Sequence, residues 1–337
     1  MDLSTTYMGI PLKNPLVAGA SSFTGNIEKL KEIQESGAAA VVLKSLFEEQ
    51  LQLEQFEFDE KREKYTEGVS PEIDGFYPHN LQYKGIEGHL LFAKEAKSAL
   101  NIPVIASINA VSTNTFVSYA RQLEQTGVDA LELNIYTVPE TGSRYGQVIE
   151  DEQQNTVKEV MKSVSIPVSV KITPFYSNPL SIVAGFDTTG VKGVVLFNRI
   201  FQPAIDIENE EMGLTPFLSN PEELRLSLRF TGLLCDQINA DICTSTGIFD
   251  GKGAIAALLA GANCFQIVST LYKNGNEQIH AILKQLNEWM EVRGYKSLDD
   301  FRGKLSRNNT KDPFAYKRAQ YINILWRANQ MLGNLAG

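Results

Sequence analysis

Histidine and cysteine are scarce in this chain of 337 residues, and the scarcity removes several kinds of site at once. Its three histidines, His79, His89 and His280, are too few and too scattered for a multi-histidine metal centre, and no metal is expected. The three cysteines, Cys235, Cys243 and Cys264, lie in apolar surroundings without metal-type or iron–sulfur spacing. They read as reduced core residues of a cytoplasmic protein. No apolar run approaches the roughly 20 residues a membrane span requires. The opening Met-Asp-Leu-Ser-Thr-Thr-Tyr lacks the basic start and apolar core of a signal peptide, so no membrane association is expected. A net charge of -9 argues against a nucleic-acid surface, which needs a basic face. A nicotinamide fingerprint is also missing. What is present, 43% hydrophobic and 21% charged residues, suits an ordinary globule of one large barrel or two medium domains.

Apolar runs bracketed by small residues recur at 15–20, 38–45, 103–109, 130–135, 167–172, 193–198, 240–247 and 264–269. Such runs read as buried parallel strands. Helical spacing lies between them, for example at Phe116, Tyr119, Ala120 and Leu123, and again at Val157, Val160, Met161 and Val164. Ile-Pro-Val opens both the third and the fifth strand, as in a repeated unit. Eight strands with intervening helices predict a (β/α)8 TIM barrel. One segment conflicts: Leu224, Leu226, Leu228 and Phe230 alternate like a strand. The preceding Ser-Asn-Pro-Glu-Glu is a good helix start, so a helix is expected there. Residues 5–15 are expected to form an N-terminal hairpin closing the far end of the barrel. The long stretches 47–87 and 199–220 should lie over its C-terminal mouth, as lids or oligomer contacts. The barrel is assigned to 1–307. Residues 308–337, with Tyr316, Tyr321 and Trp326, are expected to be a C-terminal helical extension packing on something apolar.

Two of the strands end in lysine, Lys44 and Lys171, which is costly unless an anion or electron-rich ring lies above. The last residues of all eight strands form one rim: Ala20 and Ser21, Lys44 and Ser45, Asn109, Asn134, Lys171, Asn198, Gly247 and Ser269. Carboxamides both donate and accept, which suits a heterocycle bearing carbonyl and N–H groups. A single asparagine there would more often cap the next helix; three on one rim outweigh that reading. Thr246-Gly247 and Val268-Ser269, after the last two strands, match the phosphate cradle common in these barrels. A phosphate there and a lysine on strand five describe flavin mononucleotide (FMN), with Lys171 near the N1–C2 edge of the ring. Lys171 could alternatively form a Schiff base, as barrel lyases do, or the barrel could simply bind a phosphorylated metabolite.

These residues resemble the dihydroorotate dehydrogenase family. The likeness runs from Gly9-Ile10-Pro11-Leu12-Lys13-Asn14-Pro15 to Asp300-Phe301-Arg302-Gly303-Lys304-Leu305, whose wording is similar to the soluble, dimeric branch. The resemblance implies an FMN oxidoreductase acting on a CH–CH bond, most simply dihydroorotate to orotate, and a homodimer. It implies that Lys44 and Ser45 contact flavin and substrate, that Asn109 contacts flavin, and that Lys171 lies beside flavin N1. It also implies that Asn134 and Asn198 hold the substrate ring, that Met212-Gly213-Leu214 is a flavin loop, and that 246–247 and 268–269 hold the phosphate.

The family phrase Asn-Leu-Ser-Cys-Pro-Asn is here Asn134-Ile135-Tyr136-Thr137-Val138-Pro139, so the base position falls on Thr137 and an asparagine is replaced by Pro139. Glu72-Ile73-Asp74-Gly75-Phe76-Tyr77-Pro78-His79-Asn80-Leu81 only approximates the family's substrate loop. In the family a base takes a proton from C5 while hydride leaves C6 for flavin N5. Thr137 could serve through a water relay, or be a loop residue with no chemical part; Tyr136, Tyr145 and Tyr77 are alternative phenols. The departures leave open another dihydropyrimidine or an unsaturated acid as substrate.

Overall fold

The computed structural model describes every residue except 54–84, 139–141, 200–202, 214–217, 313, 319, 323 and 328–337. The substrate-loop phrase at 72–81 with Tyr77, together with Pro139 and Leu214, therefore lies outside the described residues. The strands in chain order begin with β1 (Thr5–Tyr7), β2 (Ile10–Leu12), β3 (Leu16–Ala18), β4 (Ala40–Val42) and the two-residue β5 (Leu46–Phe47). They continue with β6 (Val104–Asn109), β7 (Ala130–Ile135), β8 (Val168–Ile172), β9 (Gly193–Leu196), β10 (Ala204–Asp206), β11 (Glu211–Gly213), β12 (Asp241–Thr244) and β13 (Cys264–Ile267). The parallel sheet runs β4-β3-β13-β12-β9-β8-β7-β6, and a further β4–β6 pairing closes it into an eight-stranded barrel. All eight expected strands are among these. β5 adds a rim pairing on β6.

The helices whose full extent is described are α1 (Ile27–Glu35), α2 (Gly85–Ala99), α3 (Thr113–Glu124), α4 (Gly146–Ser163), α5 (Pro179–Thr188), α6 (Leu224–Leu234), α7 (Gly251–Ala260), α8 (Ser269–Asn274) and α9 (Glu277–Arg293). The ambiguous 224–230 segment is helical, as expected. Asn220 caps the turn at Pro221–Glu223 with its side chain, and Glu223 returns a bond to the Asn220 N–H. Along α6 the buried residues include Leu224, Ser227, Thr231 and Leu234, the spacing of one helix face, whereas Leu226 is 44% exposed.

Two apolar layers follow from strand alternation. Leu131, Leu133 and Ile135 of β7 face outward into the core beneath the helices. Ala130 joins Val17, Ala40, Val42, Ile105, Val195, Cys243 and Cys264 in an inner cluster that also holds Tyr7 and Met8. The β1–β2 hairpin closes the N-terminal end, as expected: the Met8 N–H donates to Asp241 at 2.8 Å and Thr5 donates to the Asn263 carbonyl at 3.0 Å. At the opposite end, β10 and β11 form a hairpin within the long stretch after β9. Of the tail aromatics, Tyr316 lies on Gly232 of α6 and donates to the Leu305 carbonyl at 2.7 Å. Tyr321 and Trp326 are 65% and 69% exposed, so no apolar surface among the described residues receives them. No described helix is long and apolar enough to cross a membrane.

Candidate active site

Alternation along each strand decides which side chains reach the barrel axis, and on β7 and β8 it turns Glu132, Asn134, Ser169 and Lys171 inward. Lys171 is 5% exposed. Its ammonium donates to Gln266 Oε1 at 2.9 Å and to Glu132 Oε1 at 3.4 Å, and Gln266 Nε2 donates to the other Glu132 oxygen. Glu132 and Gln266 are 0% and 1% exposed. A buried lysine is tolerable because this ring pairs its charge and satisfies its neighbours. An ammonium has three N–H bonds. Two are engaged among the described residues, which leaves one for a ligand at the mouth. The carboxylate also balances the lysine's charge locally, so Lys171 offers a hydrogen bond and an oriented dipole more than an isolated positive charge. Sequence reasoning missed both partners. The available signal was a glutamate inside the apolar run Ala-Leu-Glu-Leu-Asn-Ile, at an inward position one step below Asn134.

Above this ring sits a carboxamide and hydroxyl layer. Asn134 Nδ2 donates to Ser107 Oγ at 2.9 Å and to Ser45 Oγ at 3.3 Å, and the two serine hydroxyls are 2.7 Å apart. Asn198 Nδ2 donates to Asn134 Oδ1 at 3.4 Å. Asn109, 5% exposed, donates to the Tyr136 phenol oxygen at 3.2 Å. Thus Ser45, Asn134 and Asn198 are brought together, with Asn109 on the neighbouring strand; Ser107 was not anticipated. Lys44 is half-buried; its N–H donates to the Thr24 carbonyl at 3.2 Å and its carbonyl meets His89 Nε2 at 3.1 Å. Ala20 and Ser21 follow Gly19, where a Cβ would come within 2.8 Å of Val268 and 3.2 Å of Gln266. Only glycine lets β3 approach β13 so closely.

The turn after β12 presents its donors in the backbone. Thr246 and Gly247 adopt positive φ of 73° and 81°, and the Thr246 hydroxyl donates to the Phe197 carbonyl at 2.9 Å. Among the described residues the N–H groups of 246–248 make no hydrogen bond, which leaves a turn lined with donors. The nearby α7 N-terminus is already capped by Asp250, whose side chain accepts from Gly253. Ser269 accepts from both the N–H and the hydroxyl of Ser219, at 2.8 and 2.9 Å, tying the loop before α6 to the end of β13. Gly213 lies opposite Ala204 in the outer hairpin. The donors at 246–248, the spare N–H of Lys171 and the carboxamide layer fit a phosphorylated, ring-shaped redox group across the mouth.

Thr137 is exposed, and its hydroxyl accepts from Gln153 Nε2 of α4 at 3.2 Å; Tyr176 donates to Gln153 Oε1 at 2.9 Å. Burial, reinforced by the charge of Glu150, pushes the Tyr176 phenol upward, so it remains a donor. Tyr145 is 83% exposed at the start of α4.

A family model for dihydroorotate dehydrogenase matches residues 2–290. The chain belongs to the dihydroorotate dehydrogenase family. It is therefore one of a family of flavin oxidoreductases acting on a CH–CH bond. Among curated relatives, a dihydroorotate dehydrogenase B (NAD(+)), catalytic subunit, of Thermoplasma volcanium is 29% identical over 312 residues, covering 90% of this chain and 98% of the relative. The protein of the same name from Thermoplasma acidophilum is 29% identical, with the same coverage. That of Methanocaldococcus jannaschii is 28% identical, covering 86% of this chain and 96% of the relative.

Proposed function

We propose that this chain uses FMN to oxidise dihydroorotate to orotate in pyrimidine biosynthesis. One observation carries the reading: a buried, paired ammonium lies directly beneath a layer of converging carboxamides and hydroxyls at the ends of β4, β6, β7 and β9. That layer can satisfy both a flavin edge and a small ring bearing alternating carbonyl and N–H groups. When bound, the flavin supplies the acceptor for the C6 hydride. Lys171 would hold the polar edge of its ring, and residues 246–248 with Val268 and Ser269 would take its phosphate. Ala20, Ser21, Lys44, Ser45, Asn109 and Gly213 would complete its surroundings. Asn134 and Asn198, already bonded to each other, would fix the orientation of the substrate, with Lys44 beside it. A hydroxyl of the loop after β7, Tyr136 or Thr137, would receive the C5 proton.

The names of the relatives support a role as a catalytic subunit that passes electrons towards NAD(+) through a second polypeptide. A homodimer in the cytoplasm completes the proposal, with the barrel at 1–307 and an extension at 308–337. Exposed Phe175, Ile205, Ile207 and Met212 on the mouth side offer apolar surface for such contacts. A Schiff-base lyase is disfavoured because the Lys171 ammonium is committed to Glu132 and Gln266. A second reading keeps the flavin and replaces dihydroorotate by another dihydropyrimidine or an enoate; Tyr136 and Thr137 in the loop after β7 favour it. Anaerobic addition of each candidate to FMN-loaded protein separates the two. Bleaching of the flavin by dihydroorotate is expected. A flavin left oxidised by dihydroorotate but reduced by dihydrouracil or an enoate would replace the first reading with the second.

A further inference from the structure

The chain offers two hydroxyls after β7, and their hydrogen bonds separate them. Ala130, Glu132 and Asn134 point to the barrel axis: the first joins the inner cluster, the second holds Lys171, the third bonds Ser107 and Ser45. Leu131, Leu133 and Ile135 point outward into the layer beneath the helices. The strand ends at Ile135, and beyond it the Tyr136 oxygen turns to the mouth and the Thr137 oxygen to α4. The Tyr136 oxygen accepts from Asn109, which ends β6 at the mouth and is 5% exposed. The Thr137 oxygen accepts from Gln153, on a helix outside the barrel wall, and Gln153 is in turn fixed by Tyr176.

We infer that Tyr136, rather than Thr137, is the catalytic residue that receives the substrate's C5 proton; the inference rests on the dihydroorotate reading above. The C5–H bond breaks and its electron pair becomes the C5–C6 double bond. Hydride leaves C6 with two electrons for the flavin, the oxidant of the reaction. The C5 proton passes to the Tyr136 oxygen as the phenolic proton passes to water, so the phenol is regenerated. Two features suit this side chain to the step. A phenol gives up its proton more readily than an aliphatic alcohol. The amide N–H that Asn109 directs at its oxygen stabilises negative charge developing there. Thr137, held from behind by Gln153, keeps the loop against α4.

The test is anaerobic stopped-flow reduction of the FMN-loaded protein by dihydroorotate and by its C5-deuterated form, with orotate affinity followed through the flavin spectrum. Tyr136→Phe is expected to slow flavin reduction by about 10²–10⁴-fold, the range for loss of a general base. Its C5-deuterium isotope effect should rise, and its orotate affinity should stay within about threefold. Thr137→Ala is expected to lose less than about tenfold, with the wild-type isotope effect. Reduction of Tyr136→Phe at near wild-type rate overturns the assignment. So does a loss in Thr137→Ala equal to that in Tyr136→Phe, or orotate affinity in Tyr136→Phe that falls in step with the rate. Wild-type protein that binds FMN but is not bleached by dihydroorotate overturns the substrate reading itself, and the assignment falls with it.

Discussion

Replacing Lys171 by Met removes the cation from a ring in which Glu132 is 0% exposed and, among the described residues, holds one other side-chain bond, from Gln266. The carboxylate is then left in the barrel interior with a single neutral donor. Breaking a buried pair in this way costs about 3–5 kcal/mol. At roughly 2.1 cal/mol/K per residue, unfolding 337 residues carries an entropy of about 0.7 kcal/mol/K, so Lys171→Met should lower Tm by about 4–7 °C. A neutral partner should repair the damage: Glu132→Gln keeps an oxygen and an amide for Gln266 and removes the stranded charge. The double variant should therefore melt well above Lys171→Met alone, within about 3 °C of wild type. Scanning calorimetry of flavin-free protein is the assay, because bound cofactor would add its own stabilisation. A Lys171→Met protein that melts within about 1.5 °C of wild type, or a double variant no better than the single, refutes the paired ring.

Gly247→Ala forces a Cβ to within 2.5 Å of the Leu224 backbone nitrogen at a φ of +81°, so the 246–248 turn must shift. FMN titration by fluorescence quenching should show at least about tenfold weaker binding, and unchanged affinity would remove this turn from the cradle. Tyr176→Phe leaves the buried Gln153 oxygen without its donor and should cost about 1–3 kcal/mol; calorimetry showing no loss would contradict the Tyr176–Gln153–Thr137 chain. Cys243 and Cys264 are fully buried, and burial together with the charge of Asp236 raises Cys235 to about 11. A thiol whose ionisation is raised holds little reactive thiolate near pH 8. Thiol titration near pH 8 should therefore find no fast-reacting group in the native protein and three after denaturation.

The barrel was legible because its strands are continuous apolar runs and because short-range signals punctuate them. Asn220 and Pro221 marked the start of α6 even where leucines alternated, since a cap and a proline act locally while the alternation was accidental. Rim residues could be named by taking the last residue of each strand, and Asn134, Ser45 and Asn198 do meet. The ring around Lys171 was not legible. Its members are separated by 39, 95 and 134 residues, and only the closed sheet brings β7, β8 and β13 to one axis. Thr137 shows a different limit. A motif's register assigns positions along the chain but not side-chain directions in the loop beyond the strand, where Tyr136 bonds Asn109 and Thr137 bonds Gln153. The tail could be marked as aromatic, and Tyr316 packs on α6.

In the proposed function, the paired ammonium of Lys171 and the donor-lined turn at 246–248 hold a phosphorylated flavin across the barrel mouth. The most direct measurement is the visible spectrum of the protein dialysed against FMN, followed by the amount of FMN released per chain on denaturation. The account predicts a yellow protein that yields about one FMN per chain, and a large loss of that yield in Gly247→Ala and Lys171→Met. A colourless protein that retains no FMN, with its barrel folded and its thermal transition intact, would contradict it.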